Sequence, residues 1–199
     1  MNALIENAKN IVFDVAGVLL GHEPEKFFPL MLPEHVAAKL TPAAVYKNPH
    51  WVRMDEGTTT HEDCAKILAN DIGEPDWWPY ALHVIEHFHE HMTALPTYTL
   101  FPQLHAMGKK VYVITNYEED IFMRAVNRFP EVFAEADGII ISGREHLLKP
   151  YPEIYQLLLS RYDLKAEECV FIDDREDNLE GARKVGMEGI VFTSGNDLL

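Results

Sequence analysis

The stretch NIVFDVAGVLL, residues 10–20, decides the fold of this 199-residue chain. Its apolar run, residues 11–13, ends abruptly in Asp14, and Gly17 follows shortly after. A short apolar run that ends in a carboxylate is typical of a buried parallel strand, whose carboxyl end lies at the edge of the sheet where α/β proteins bind ligands. Asp14 is therefore the first candidate for chemistry, although a lone aspartate at a strand end can also simply begin a turn.

Four further apolar runs are predicted strands, at residues 110–114, 138–141, 169–172 and 189–192. Helical patterns separate the later runs, at residues 118–129, 152–162 and 178–185. Strands that alternate with helices of this length predict right-handed βαβ units and a mostly parallel sheet. The predicted fold class is therefore α/β, with a doubly wound Rossmann-like parallel sheet.

Residues 21–94 differ from the rest because they contain helix signals and no convincing strand. Thr41 and Pro42 form an N-cap followed by a proline at the first helical position, and Thr60 with Asp63 resembles a capping box. We predict that the chain leaves the sheet after its first strand, forms an all-helical cap over residues 21–94, and returns to complete a core of residues 1–20 and 95–199. A helical insertion at this point is expected to cover Asp14.

The composition of the chain limits which partners it is expected to bind and where it is expected to be located. The 17 Lys and Arg residues against 32 Asp and Glu give a net charge of −15, which repels nucleic acid and anionic membrane surfaces. Cys64 and Cys169 lie far apart without metal-binding spacing, which indicates reduced thiols. The first ten residues are too polar for a signal peptide, and no apolar run has membrane length, so the expected location is the cytoplasm.

Polar side chains follow the other predicted strands too. A hydroxyl and the amides after it can donate hydrogen bonds to an oxyanion, and a lysine supplies positive charge. Two adjacent acids at a strand end are unfavourable neighbours unless a cation lies between them and a third carboxylate, and such hard oxygen ligands suit Mg²⁺. The residues are Thr115 and Asn116 after the second strand, Lys149 after the third, and Asp173, Asp174 and Asn178 at the end of the fourth.

Four motifs in this order, FDVAGVLL, VITN, LLKP and FIDDREDN, resemble those of the haloacid dehalogenase superfamily of hydrolases, and the resemblance covers the whole chain. The helical insertion resembles that superfamily's cap. Its segment RMDEG, residues 53–57, is similar to the cap of the sugar-phosphatase-like branch, which contains glucose-1-phosphate phosphatases. The resemblance implies an Mg²⁺-dependent phosphatase of small phosphorylated metabolites, sugar phosphates among them, that acts through an aspartyl phosphate. The expected partner is a small-molecule phosphate ester, bound by a monomer or a small homo-oligomer.

Carried over position by position, the resemblance assigns a role to each motif residue. Asp14 would be the nucleophile that attacks phosphorus, Thr115 would hydrogen-bond the transferring phosphoryl group, and Lys149 would neutralise that group and hold Asp14 in place. The implied Mg²⁺ ligands are Asp14, the backbone carbonyl of Ala16, Asp173 and Asp174; the expected substrate contacts are Asn116, Arg53 and Lys149, and Asn178 supports the site.

Ala16 departs from the family pattern. Most phosphatases of the superfamily carry a second aspartate at this position, which protonates the leaving group and activates water. A general acid of this kind contributes about 10²- to 10⁴-fold in rate, so its absence puts the proton transfer in doubt. We hypothesise that a residue of the insertion, His22, Glu23 or Glu56, replaces it.

Two alternative functions stay open at this point. Alanine at position 16 also resembles phosphonoacetaldehyde hydrolase, which forms a Schiff base on a cap lysine, and Lys39, Lys47 and Lys66 are available in the insertion. The second alternative is a phosphate-binding relative whose catalysis is impaired by the missing acid.

A cluster of histidines in the insertion is also ambiguous. His83, His87 and His91 follow each other at i,i+4 spacing, which can chelate a transition metal on one helix face. The same spacing is compatible with a solvated helix face.

Overall fold

A parallel sheet forms the centre of the molecule in the computed structural model, which describes residues 1–198. Five strands run parallel in the order β5-β4-β1-β6-β7, and two short strands pair separately. The α/β fold class predicted from the sequence is confirmed. The strands are β1 (Asn10–Phe13), β2 (Leu20–Gly21), β3 (Thr93–Ala94), β4 (Lys110–Thr115), β5 (Gly138–Ile141), β6 (Cys169–Asp173) and β7 (Glu188–Val191).

Strand β1 is the middle of the sheet, and all four of its residues are buried. Its neighbours are β4 and β6, with Val12 opposite Tyr112 on one side and Phe171 on the other. Ile11 belongs to the hydrophobic cluster on one face of the sheet and Val12 to the cluster on the other. Burial on both faces explains why this strand is a continuous apolar run rather than an alternating one.

Helices cover both faces of the sheet and fill the insertion. The bounds of the predicted helices and strands agree with the observed ones to within two residues. Among residues 1–198, no helix combines the length and the apolar character that crossing a bilayer would require. The α-helices are α1 (Ala3–Asn7), α2 (Pro24–Met31), α3 (Glu34–Ala37), α4 (Pro42–Tyr46), α5 (Pro49–Asp55), α6 (His61–Asp71), α7 (Trp78–His87), α8 (Phe101–Ala106), α9 (Glu119–Arg128), α10 (Pro130–Phe133), α11 (Ser142–Glu145), α12 (Pro152–Arg161) and α13 (Glu176–Lys184), and 3-10 turns occur at Pro75–Trp77, Phe88–His91, Pro96–Leu100, Ala166–Glu168 and Gly195–Leu198.

The insertion is helical between residues 24 and 91, and a two-stranded antiparallel ribbon of β2 and β3 joins its two ends. The sequence analysis did not predict this ribbon, because a strand of two residues shows no alternation of apolar and polar side chains. The predicted caps are present: the Thr41 side chain accepts the Ala44 N–H, and the Thr60 side chain accepts the Asp63 N–H. The boundaries of the cap at residues 21 and 94 stay a prediction.

Candidate active site

The carboxyl ends of three adjacent strands bring the predicted residues together. Asp14 follows β1, and its N–H donates to the Ile172 carbonyl of β6 at 2.9 Å. Thr115 is the last residue of β4, and Asp173 is the last residue of β6. Because these strands are parallel neighbours in the sheet, residues separated by about one hundred positions meet at one edge.

Lys149 lies between two carboxylates at this edge. Its Nζ is 2.6 Å from Asp14 Oδ1 and 2.8 Å from Asp173 Oδ2, and all three residues are buried. Burial would lower the pKa of Lys149, but the two carboxylates raise that pKa above its ordinary value, so the ammonium stays charged. The pKa of Asp14 is raised to about 7, because burial and the neighbouring Asp173 together raise it by more than Lys149 lowers it. One lysine therefore faces two buried carboxylates, an arrangement that favours a second cation.

Asp173 is held in place from several sides. Asn178 Nδ2 donates to both of its carboxylate oxygens at 3.0 Å, and the Arg175 N–H donates to Oδ1 at 2.9 Å. Lys149 Nζ donates to Oδ2 as well, so each oxygen accepts two hydrogen bonds. The capacity of this carboxylate to accept hydrogen bonds is thereby filled. Asp173 thus orients Lys149, and Asn178 in turn holds Asp173; the supporting role that the sequence suggested for Asn178 stays a prediction.

A group of three carboxylates at this edge can hold a metal ion. Asp14, Asp173 and Asp174 each offer an oxygen, and the three oxygens lie within 4.8 Å of one another. It is the one such group of three in residues 1–198. Hard oxygen donors of this kind fit a small divalent cation. Since the Asp173 oxygens already accept four hydrogen bonds, Asp14 and Asp174 are the residues with free oxygens to offer.

The loop after β1 fits closely around the carboxylate of Asp174. Gly17 has a φ of +82°, a backbone conformation that favours glycine, and a Cβ atom on it would lie 2.7 Å from Asp174 Oδ2, so any other residue would displace that carboxylate. The Gly17 N–H donates to the Leu20 carbonyl, and within residues 1–198 no backbone N–H donates to the Ala16 carbonyl. That carbonyl is therefore free to act as a ligand.

The side chain of Asn116 contacts the backbone of Lys149. Asn116 Nδ2 donates to the Lys149 carbonyl at 2.9 Å, and the Lys149 N–H donates to Asn116 Oδ1 at 2.8 Å. Both polar atoms of the amide are engaged, so the side chain positions Lys149 even though Asn116 lines the adjacent cavity. The substrate contact that the sequence suggested for Asn116 stays a prediction.

A cavity of about 360 Å³ opens at this edge, between the sheet and the insertion. A second space of about 140 Å³, which we call the aromatic chamber, shares six of its eight lining residues with the cavity. The cavity is lined by Asp14, Ala16, Gly17, His22, Pro24, Tyr46, Trp51, Val52, Asp55, Thr115, Asn116, Lys149, Asp174, Arg175 and Asn178. The aromatic chamber is lined by Ala16, His22, Tyr46, Trp51, Asp55, Phe88, Asn116 and Tyr117.

The comparison with known families agrees with this geometry. A family model described as haloacid dehalogenase-like hydrolase matches residues 8–186, which is most of the chain. The chain belongs to the haloacid dehalogenase-like hydrolases. The family resemblance inferred from the four motifs is therefore confirmed, and the protein is a hydrolase.

Individual relatives of this haloacid dehalogenase-like hydrolase are distant. The chain is 27% identical to a sesquiterpene phosphatase of Aspergillus oryzae, over 93% of this chain and 90% of that protein. It is 24% identical to a chloroplast flavin mononucleotide hydrolase of Arabidopsis thaliana, over 74% of this chain and 58% of that protein. Among solved structures, a haloacid dehalogenase family enzyme of Bacteroides thetaiotaomicron in complex with magnesium and inorganic phosphate superposes with a TM-score of 0.74 at 20% identity, over 94% of this chain and 96% of that one. That similarity shows the shared fold.

The insertion of this hydrolase docks on the core beside the cavity. Ser142 Oγ donates to the Asp55 carbonyl at 2.5 Å and accepts the Tyr117 N–H at 2.7 Å. A Cβ atom on Gly57 would lie 2.3 Å from the Gly143 carbonyl, so the two backbones are in direct contact. These contacts position the end of helix α5, and with it one wall of the cavity.

The residues of the insertion that the sequence suggested for the site do not all line the cavity. Helix α5 turns Trp51 and Asp55, which are four residues apart, toward the cavity, and Arg53 lies on its exposed side. The structure therefore does not place Arg53 at the cavity, contrary to the sequence-based expectation. Of the candidates for the missing acid, Glu23 and Glu56 are also outside the cavity lining, and His22 is part of it.

Asp55 is a candidate that the sequence analysis missed. It lines both the cavity and the aromatic chamber, as do His22 and Ala16. Burial raises the pKa of the Asp55 carboxyl well above its ordinary value, and burial lowers the pKa of His22 to about 4. Of these two groups, Asp55 is therefore the one whose pKa is shifted toward the protonated form. Helix α5 is too short for its sequence pattern to have indicated Asp55.

The histidines of helix α7 and the turn after it do not converge on a metal site in residues 1–198. The rings of His83 and His87 lie 4.8 Å apart, but His87 Nδ1 contacts Glu90, and the His91 ring stacks on Phe27. This arrangement favours the interpretation of these histidines as a solvated and packed helix face.

Proposed function

We propose that this hydrolase is an Mg²⁺-dependent phosphatase of small phosphorylated metabolites that acts through an aspartyl phosphate on Asp14. The observation that carries the proposal is the position of Lys149 Nζ, 2.6 Å from Asp14 Oδ1, beside a group of three carboxylates and an open cavity. A buried nucleophilic carboxylate, a fixed cation and a metal site are what the attack of one anion on another requires.

The residues have the following roles in this mechanism. A carboxylate oxygen of Asp14 attacks phosphorus, the P–O bond to the leaving group breaks, and the leaving oxygen takes a proton. Water then attacks the phosphorus of the aspartyl phosphate, which releases inorganic phosphate and restores Asp14. Lys149 neutralises charge on the phosphoryl oxygens throughout, and Thr115 hydrogen-bonds one of them. Mg²⁺, held by Asp14, Asp174 and the Ala16 carbonyl, supplies further charge neutralisation when bound.

We propose Asp55 as the source of the proton that Ala16 cannot supply. Asp55 lines the same cavity as Ala16, and burial raises the pKa of its carboxyl well above the ordinary value, which favours the protonated form. His22 lines that cavity too, but a pKa of about 4 leaves it neutral at pH 7, where it can only accept a proton in the first step.

The two alternatives have less support. A Schiff-base mechanism needs a lysine in the cavity, whereas Lys39, Lys47 and Lys66 are all exposed, and Lys149 is the one lysine that lines the cavity in residues 1–198. A phosphate-binding relative without catalysis would not need a nucleophile, a fixed cation and three metal-binding carboxylates in one place.

The relatives support a phosphatase without agreeing on the substrate. Those described above are named for a sesquiterpene phosphate and for flavin mononucleotide, and a 60-residue match is named for glyceraldehyde 3-phosphate. The phosphate ester is what these names share. The sugar-phosphatase-like branch, inferred from the segment RMDEG, is the finer proposal that a substrate screen has to decide.

The proposed setting is the cytoplasm, where the chain would act on a small-molecule ester as a monomer or a small homo-oligomer. Cys64 and Cys169 are both free and buried, as expected for reduced thiols. The net charge of −15 supports the absence of nucleic acid and anionic membranes among its partners.

The test measures phosphate release from p-nitrophenyl phosphate with Mg²⁺, comparing the wild-type protein with Asp14→Asn. Asp120→Asn, which changes an exposed aspartate, is the matched control and should retain activity. Borohydride reduction during turnover should convert residue 14 to homoserine, which peptide mass spectrometry detects. Equal rates in the wild type and Asp14→Asn would overturn the proposal.

A further inference from the structure

The aromatic chamber adjoins the cavity that contains Asp14. Six residues line both spaces, among them Ala16, His22 and Asp55, so a leaving group of a phosphate ester bound at Asp14 has the chamber beside it. The rings of Tyr46, Trp51, Phe88 and Tyr117 line the chamber and pack against one another in edge-to-face, tilted and stacked arrangements. Trp51 lies 4.6 Å from Tyr46 and 5.7 Å from Phe88, and Phe88 lies 5.9 Å from Tyr117, between ring centroids.

Two polar atoms in the chamber wall have no partner. Tyr46 Oη and His22 Nδ1 are buried, and neither has a hydrogen-bond partner in residues 1–198. A buried polar atom without a partner costs free energy, so native proteins usually satisfy such atoms. The two rings lie 5.0 Å apart between centroids. Both atoms are covered by neighbouring atoms, so the surface that the chamber presents to a ligand is mainly apolar.

The charge of the chamber limits what it accepts. No Lys or Arg side chain of residues 1–198 lines it. His22 is neutral at pH 7 because burial lowers its pKa to about 4, and burial raises the pKa of Asp55 well above the ordinary value, which disfavours a charge there as well. A second phosphate or a carboxylate on the leaving group would lie there without a counter-charge, at a large desolvation cost.

The volume of the chamber limits the size of the group. At about 140 Å³ it is close to an engineered apolar cavity of about 150 Å³ that holds one benzene molecule. A single ring or a branched chain of five or six carbons fills such a space. A hexose has a similar size, but its several hydroxyls would face ring carbons and stay unpaired.

We infer that the substrate is a phosphate monoester whose leaving group is compact, uncharged and mainly apolar, about the size of one six-membered ring. This inference rests on the proposed phosphatase function. It limits the substrates to esters with an apolar leaving group and excludes sugar phosphates. The ring lies among Tyr46, Trp51 and Phe88, while the phosphate lies between Lys149 and the metal-binding carboxylates.

The test compares esters that differ in the leaving group. Acetyl phosphate needs only the core chemistry, and its hydrolysis with Mg²⁺ measures the proposed function by itself. Benzyl phosphate and glucose 6-phosphate are both esters of primary alcohols, so their intrinsic reactivities are similar. The wild-type kcat/KM for benzyl phosphate should exceed that for glucose 6-phosphate by about tenfold or more.

Variants and a binding measurement locate the effect in the chamber. Trp51→Ala should lower kcat/KM for benzyl phosphate about tenfold more than that for acetyl phosphate, whereas Tyr80→Phe, at an exposed tyrosine of the insertion, should change neither. Trp51→Ala can fail to fold, so calorimetry on the wild type with Mg²⁺ is the second measurement. Benzylphosphonate should bind about tenfold tighter than methylphosphonate.

The possible outcomes separate the two proposals. Hydrolysis of acetyl phosphate together with an equal or higher kcat/KM for glucose 6-phosphate than for benzyl phosphate would overturn this inference alone. Equal binding of the two phosphonates would do the same. Absence of phosphate release from both acetyl and benzyl phosphate would overturn the proposed function and this inference with it.

Discussion

Asn116 and Lys149 are joined by a pair of hydrogen bonds between the side-chain amide of the first and the backbone of the second, at 2.9 and 2.8 Å. One residue follows β4 and the other lies in the loop after α11, so this pair links two strand ends of the sheet. Lys149 Nζ depends on that backbone position to reach both Asp14 and Asp173. The site therefore depends on contacts between loops as well as on the strands themselves.

Replacing Asn116 should disturb Lys149 without removing its charge. Asn116→Ala leaves the Lys149 N–H and carbonyl without these partners, which should lower the free energy of unfolding by about 1–3 kcal/mol. Because the lysine then loses its fixed position, kcat on p-nitrophenyl phosphate should fall about tenfold or more. Chemical denaturation and steady-state kinetics measure the two effects. Asn70→Ala, at an exposed asparagine of α6, is the control, and equal kinetics in both variants would contradict the prediction.

Gly17 should control the affinity for the metal. Gly17→Ala adds a Cβ atom that would lie 2.7 Å from Asp174 Oδ2, and that carboxylate has to move. The Mg²⁺ concentration for half-maximal activity should rise about 10- to 100-fold, the effect expected when the surroundings of a metal ligand change.

Gly73→Ala is the matched control for this change. Gly73 has a φ of +77°, close to the +82° of Gly17, but an added Cβ atom meets nothing within 4 Å. Both variants should lose a similar amount of stability through backbone strain. An Mg²⁺ requirement that rises equally in the two variants would show that strain alone, and not Asp174, is responsible.

Removing the charge of Lys149 should destabilise the fold as well as abolish activity. Lys149→Met leaves the buried carboxylates of Asp14 and Asp173 next to each other without a counter-ion, which costs about 3–5 kcal/mol for a buried pair. Urea denaturation in the presence of a chelator measures the loss. Lys110→Met, which breaks an exposed pair with Asp137, should cost no more than about 1 kcal/mol. Comparable losses in the two variants would indicate that Lys149 is not paired as described.

The site residues at the strand ends could be predicted from the sequence because each of them ends or follows a continuous apolar run. Asp14, Thr115 and Asp173 are separated widely along the chain, but the parallel topology brings the ends of β1, β4 and β6 to one edge. Buried strands leave a pattern in the sequence, and the residue that follows them is then placed by the fold.

The wall formed by the insertion could not be predicted in the same way. Helix α5 has seven residues, too few for a periodic pattern to show that Trp51 and Asp55 face the cavity and Arg53 does not. Its position depends on the contact of Gly57 with Gly143 and on the hydrogen bond from Ser142. Such contacts between distant segments have no signature in the local sequence.

Ala16 and Asp55 allow a test of where the proton for the leaving group comes from. The oxygen that leaves benzyl phosphate has to be protonated, whereas nitrophenolate leaves without a proton. If Asp55 donates the proton to the leaving oxygen, Asp55→Asn should lower kcat on benzyl phosphate about 10²-fold. The same variant should change kcat on p-nitrophenyl phosphate little. A merely structural role of Asp55 would lower both rates together, and Asp76→Asn, at an exposed aspartate, controls for the loss of one charge.

Adding Ala16→Asp to Asp55→Asn should restore the lost rate, because a carboxyl at position 16 lines the same cavity and follows Asp14 by two residues. The double variant should hydrolyse benzyl phosphate faster than the Asp55→Asn single variant does. Its kcat on p-nitrophenyl phosphate should stay close to that of the single variant. A double variant as slow as Asp55→Asn on benzyl phosphate would mean that proton donation was not the function lost. Since the two substrates share the attack on phosphorus and the later attack of water, and differ in whether the leaving oxygen needs a proton, a change in the ratio of their kcat values reports on the protonation of the leaving group.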